Sequence, residues 1–168
     1  MAVVNEQRLR LQDVKSIKVY VSKLVMDIAC GKMEEPRTGL EGKFSMQYCV
    51  ANAILRGETG LRAFTDEKVN DPEVRTLMKK ISMVLDPKID RIGARVEIET
   101  NAGVLHKKYS DIMEEIPEIE TKRKRVSEKY MELCGQSFDH SKAADSLQII
   151  LSLEKVDNMR KFVEKTVL

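Results

Sequence analysis

The sequence holds little that would commit it to a membrane, a nucleic acid or a metal. No stretch approaches the roughly 18 continuous apolar residues that a spanning helix needs. The charge surplus is small, 29 Lys and Arg against 27 Asp and Glu for a net +2. That balance gives no electrostatic footprint for nucleic acid or an anionic surface. The opening MAVVNEQRLRLQDV has neither an apolar core nor a small-residue cleavage site, so no secretory leader is expected. Cysteine is scarce: Cys30, Cys49 and Cys134 stand far apart and form no CxxC pair. Free thiols in a reducing cytoplasm are the simplest reading, without a zinc site. Of the two histidines, neither His106 nor His140 has a cysteine or carboxylate at metal-ligand or nucleophile–base spacing. Both are read as structural or surface residues. Gly39, Gly42, Gly57 and Gly60 do not match a phosphate-cradling spacing. No cofactor is expected.

What is present is a globular composition, 42% hydrophobic and 33% charged over 168 residues, enough for one domain with its own core. From Val14, the apolar Ile17, Val19 and Val21 alternate with Lys18, Tyr20 and Ser22, the period of a half-buried strand. Residues 1–13 are polar and read as extended, Gly31 ends the apolar stretch, and Pro36 makes residues 34–39 a loop. A helix is predicted over 40–55, with Phe44, Tyr48, Ala51 and Leu55 as its buried stripe and Gly57 and Gly60 closing it. Asp71-Pro72-Glu73 is a helix start, because Asp caps free amides, Pro needs no donor and Glu suits the positive end. That helix is predicted to run to Ile81.

Strands follow at 83–85 and 94–100, then a turn at Asn101-Ala102-Gly103 and a strand through Val104, His106 and Lys108. The hairpin needs a third strand or a helix layer, and the strand Val14–Ser22 is the expected partner. Helices are predicted over 121–134, 141–153 and 155–167. The order β-α-α-β-β-β-α-α-α reads as an α+β fold: a two-layer domain with a small, mainly antiparallel sheet and C-terminal helices. The run Lys122-Arg123-Lys124-Arg125 is diluted by Glu118, Glu120, Glu128 and Glu132 and reads as a solvated helix face.

The one chemically suggestive segment is Gly39-Leu40-Glu41-Gly42-Lys43-Phe44-Ser45-Met46-Gln47-Tyr48. Lys43, Ser45 and Gln47 crowd the opening turns of an otherwise apolar helix. A helix amino terminus beside a lysine suits a carboxylate ligand, and ordinary capping is the alternative reading.

The same segment carries a family resemblance. From Pro36 to Met78 the chain resembles the carboxy-terminal signature of the MmgE/PrpD (2-methylcitrate dehydratase-like) family. Gly-Leu-Glu-x-Lys-Phe-Ser leads into a Tyr-bearing helix, then come a Phe-Thr-Asp-Glu segment and an Asp-Pro-x-Val-Arg-x-Leu helix. Family members act as lyases or isomerases on small di- and tricarboxylates, by proton movement beside a carboxylate and without a nucleotide cofactor; one branch belongs to propionate metabolism. The resemblance implies that residues 14–116 form an α/β lid and that 117–168 form a helical tail packing on a helical domain outside this sequence. It implies Tyr48 as a catalytic hydroxyl, and Lys43 and Ser45 as substrate-binding residues. The family's acid–base residues lie in the helical half and find no match here.

The chain is therefore expected to be inactive alone, as a fragment or split subunit that needs a helical partner and a small carboxylate substrate. Apolar surface left on the Phe44–Leu55 and Val156–Val163 segments implies a homo-oligomer or partner protein. A non-catalytic interaction or regulatory module with the same lid fold is the alternative.

Overall fold

In the computed structural model, residues 11–30, 33–57, 60–111 and 118–166 are described. They form two compact units, Met1–Glu115 and Ile116–Leu168. Expectations for residues 1–10, Gly31 and Val167, and for the His106 side chain, fall outside the described residues.

The first unit is a helix layer on one face of a four-stranded sheet. Its strands are β1 (Val14–Val21), β2 (Ile81–Leu85), β3 (Gly93–Thr100) and β4 (Leu105–Asp111), in the order β2-β1-β3-β4. β1 runs parallel to β2 and antiparallel to β3, and β3–β4 is an antiparallel hairpin. The fold is thus α+β, with two of its three strand pairings antiparallel.

The alternation in β1 does what the sequence asks of it. Val14, Ile17, Val19 and Val21 are buried, while Lys15 and Lys18 are exposed. Val14 and Ile17 both reach the core because the register shifts between Val14 and Ser16 against β3, a bulge that re-aims the strand. The hairpin closes through Thr100 N–H to the Val104 carbonyl at 2.9 Å, around the expected three residues. Gly103 supplies the φ of +78° that the turn needs.

Facing the sheet are α3 (Met46–Arg56) and α5 (Pro72–Met78), reached through the short helices α1 (Lys23–Val25), α2 (Gly39–Gly42) and α4 (Asp66–Val69). The core joins Ile17, Val19, Val21 and Ile98 of the sheet to Tyr48, Ala51, Val69, Val74, Leu77 and Met78. At about 25 cal/mol per Å2 of apolar surface removed from water, such packing is the main stabilising term.

Two expectations are corrected here. The helix predicted over 40–55 is two helices, because Ser45 adopts an extended backbone (φ −102°, ψ 108°) and its side chain caps α3. The break turns Phe44 outward to 61% exposure, although it was expected in the buried stripe. The helix from Asp71 ends at Met78, since Ile81 is taken into β2 opposite Ile17.

The second unit holds α6 (Ile119–Cys134), α7 (His140–Leu151) and α8 (Met159–Thr166). Asp139 caps α7 by accepting the Lys142 N–H at 2.8 Å. Tyr130 of α6 meets Ser146 of α7, hydroxyl to hydroxyl, at 2.7 Å. The last helix starts at Met159 rather than 155, after a 3-10 turn at Leu153–Lys155, and Asn158 Oδ1 accepts the Arg160 N–H at 3.0 Å. Among the described residues no helix is long and apolar enough to cross a membrane.

Candidate functional site

The segment that links α2 to α3 is held from several sides. Thr38 and Glu41 form a reciprocal capping box: the Thr38 hydroxyl accepts the Glu41 N–H, and the Glu41 carboxylate accepts the Thr38 N–H. The Gly39 N–H donates to Asp66 Oδ1 at 2.7 Å, which ties α2 to α4. Gly39 is required here by close approach, since a Cβ would lie 2.1 Å from the Phe64 carbonyl oxygen. Gly42 is similarly confined, with Val69 Cγ2 at 2.8 Å and the Tyr48 ring just beyond.

On this frame the three residues singled out from the sequence take different positions. Lys43 is exposed in the turn after α2, beside exposed Phe44 and Leu40, and no ion pair ties it to another described residue. Ser45 is 1% exposed, and its Oγ accepts the Tyr48 N–H at 3.2 Å. It satisfies one of the amides that a helix start leaves unpaired.

Tyr48 is fully enclosed, and its hydroxyl donates to the Ala63 carbonyl. Its ring lies 5.9 Å from that of Phe64, tilted by 58°. The segment therefore presents Lys43 and Phe44 outward while Ser45 and Tyr48 anchor it from behind.

The neighbouring thiol contributes no nucleophile. Burial pushes the Cys49 thiol up, partly offset by a backbone hydrogen bond, so it stays protonated near neutral pH. Among the described residues no group of three or more His, Cys, Asp or Glu side chains could hold a metal ion. His140, read as a structural or surface residue, opens α7 and is exposed.

In the sequence Gln47 stands out only as one of three polar residues near the helix start. In the fold it is 8% exposed, and its Oε1 has no hydrogen-bond partner. Nor does any local pattern mark Arg56, which bonds Asn52 and Asp71 at once.

A family model described as MmgE/PrpD C-terminal domain matches residues 1–155. Two curated relatives, both cis-aconitate decarboxylases of Aspergillus terreus, one of them from strain NIH 2624 / FGSC A1156, are 25% and 24% identical over 170 residues. Each alignment covers 94% of this chain and 34% of the relative. The chain thus spans about a third of the length of the curated relatives it matches.

Proposed function

Because this chain belongs to the MmgE/PrpD family as its C-terminal domain, we propose that it forms one wall of a cleft for small di- or tricarboxylates. The opposite wall, with the acid–base residues, would come from a helical domain or a separate subunit. The observation that carries this reading is the outward turn at Lys43 and Phe44. It is a solvent-facing ammonium on a segment fixed by a capping box, two confined glycines and a capping serine. A rigid frame of that kind suits a group that must meet a substrate carboxylate at a fixed point.

In this reading Lys43 binds a carboxylate of the substrate, and Ser45 acts by holding the turn. Tyr48 relays or donates a proton in the complete site. Its hydroxyl is enclosed against Ala63 in this chain, so the relay requires the turn at Leu61–Ala63 to shift when the second wall docks. The reaction is lyase-like or isomerase-like, with proton abstraction beside a carboxylate by a base held about 3 Å from the reacting C–H. The chain alone is inactive, because one lysine and one enclosed tyrosine cannot both abstract the proton and stabilise the enolate-like charge. Exposed Phe44 and Leu40, and separately Met159 and Val163 of α8, supply apolar surface for the helical partner or a further copy of the chain.

A second reading is favoured by the enclosure of Tyr48: a non-catalytic interaction or regulatory module that keeps the lid fold. Reconstitution separates the two. The chain would be co-expressed with helical-domain proteins encoded beside it, and the assembly assayed for proton exchange on cis-aconitate and 2-methylcitrate. Exchange that needs both components supports the enzyme reading. A stable complex without exchange on any such acid supports the module.

A further inference from the structure

A second cleft, of about 520 Å3, opens where the loop at 34–36 passes the start of α3 and the end of α5. Its polar lining is Glu34, Glu35, Gln47, Arg75 and Lys79, over apolar Met78 and Ile81. Two features set it apart from an ordinary surface fold.

The first is Gln47. It is more than nine-tenths buried, and its Oε1 lacks a partner. Buried polar atoms are nearly always satisfied, and an orphan acceptor in a cleft wall calls for a donor from outside the chain. Gln47 lines the cleft while Oε1 itself is closed to solvent, so a shift of the side chain accompanies its use as an acceptor there.

The second is the charge. Two cations and two carboxylates share the lining, yet neither Glu34 nor Glu35 is ion-paired with Arg75, Lys79 or any other described residue. Arg75 is engaged elsewhere: its Nη2 donates to the Pro36 carbonyl and to Asn70 Oδ1 at 2.8 Å. Lys79 is left as the available cation. A polycarboxylate would meet Glu34 and Glu35 as like charges, and a simple amine would meet Lys79 the same way. A molecule carrying both charges satisfies both sides.

We propose that this cleft binds a small zwitterion of the α-amino-acid type. Lys79 takes its carboxylate, Glu34 or Glu35 its ammonium group, and Gln47 Oε1 accepts an N–H. Met78 and Ile81 form the floor for an apolar side chain. The site is separate from the turn at Lys43 and stands whether or not the carboxylate-lyase reading holds.

The test is an NMR titration of the isotope-labelled full chain with L-leucine, following the Gln47 side-chain amide and the backbone amides of Glu35 and Lys79. Two controls each lack one charge: 4-methylpentanoate has no ammonium group, and 3-methylbutylamine has no carboxylate. Saturable shifts at those three residues with L-leucine are expected, with each control binding at least about tenfold more weakly. Lys79→Met should weaken L-leucine by a similar factor. Because Lys79 is exposed, this variant keeps its fold even if Gln47→Leu does not. Equal binding of 4-methylpentanoate, unchanged affinity in K79M, or no shift with L-leucine overturns the proposal.

Discussion

The Arg56 guanidinium reaches the Asp71 carboxylate at 2.6 Å, Nη2 to Oδ2, and so ties the last turn of α3 to the first residue before α5. Asp71 serves both partners at once. Its Oδ1 accepts the Glu73 N–H at 2.8 Å, and its Oδ2 takes the arginine. Asp71→Ala should therefore lower the melting temperature more than Asp71→Asn, which keeps a capping oxygen and loses only the charge. Arg56→Met should resemble Asp71→Asn. Thermal melts of the three variants check the order, and an asparagine variant as damaged as the alanine one would remove the capping role.

Acid should destabilise the first unit through a small set of carboxylates. The Glu73 amide, followed by the Val74 amide and then Arg56, holds Asp71 below the usual carboxylate range against a smaller opposing effect of burial. Burial pushes Glu97 up, but hydrogen bonds from Tyr20 and Lys107 outweigh it and leave it lowered. Lys15, through its hydrogen bond and its charge, lowers Glu99. A carboxyl that is more acidic folded than unfolded adds stability above its unfolded pKa of about 4, and loses it as pH falls through the folded value. Urea midpoints should be level from neutral pH down to about 5 and then fall. Glu99→Gln should make that fall shallower, and a midpoint unchanged down to pH 3 would contradict the account.

Tyr48→Phe tests the buried hydroxyl without disturbing the ring pair with Phe64. Ala63 is 1% exposed, so its carbonyl would lose a donor in a site that water does not reach. Leaving a buried acceptor unsatisfied costs about 1–3 kcal/mol. Denaturant unfolding of the isolated chain should show a loss in that range. A loss near zero would mean that the Tyr48–Ala63 bond is not formed in solution.

Much of this architecture was legible in the sequence, for reasons that can be named. The period-two pattern of β1, the Asp71-Pro72 start and the Asn-Ala-Gly turn are local signals, and each appears where its residues predict it. The break at Ser45 was masked because Phe44, Tyr48, Ala51 and Leu55 keep helical spacing across it. The signal that could have revealed it was Thr38-Gly39-Leu40-Glu41, a capping-box sequence for a separate short helix. The parallel pairing of β2 with β1 depends on contacts more than sixty residues apart, between Ile17 and Ile81, which no local pattern carries. The second cleft was hidden for the same reason. Arg75 and Lys79 carry no local mark of a site, and only the fold brings the loop of Glu34 and Glu35 beside them.

Lys43 separates binding from folding more cleanly than Ser45 or Tyr48. It is exposed and unpaired among the described residues, so Lys43→Met should shift stability by less than about 0.5 kcal/mol. In a reconstituted assembly the same change would remove a charge-assisted contact to a substrate carboxylate, worth about 1.5–3 kcal/mol, or roughly tenfold to a hundredfold in kcat/KM. If the lysine grips substrate and transition state alike, the loss falls on KM with kcat nearly unchanged. Lys43→Arg should restore part of it, because the charge returns on a longer, forked group. Steady-state kinetics on cis-aconitate or 2-methylcitrate would read the split. A stable Lys43→Met variant with wild-type KM would mean that the turn faces away from the substrate, and the outward ammonium would then need another partner.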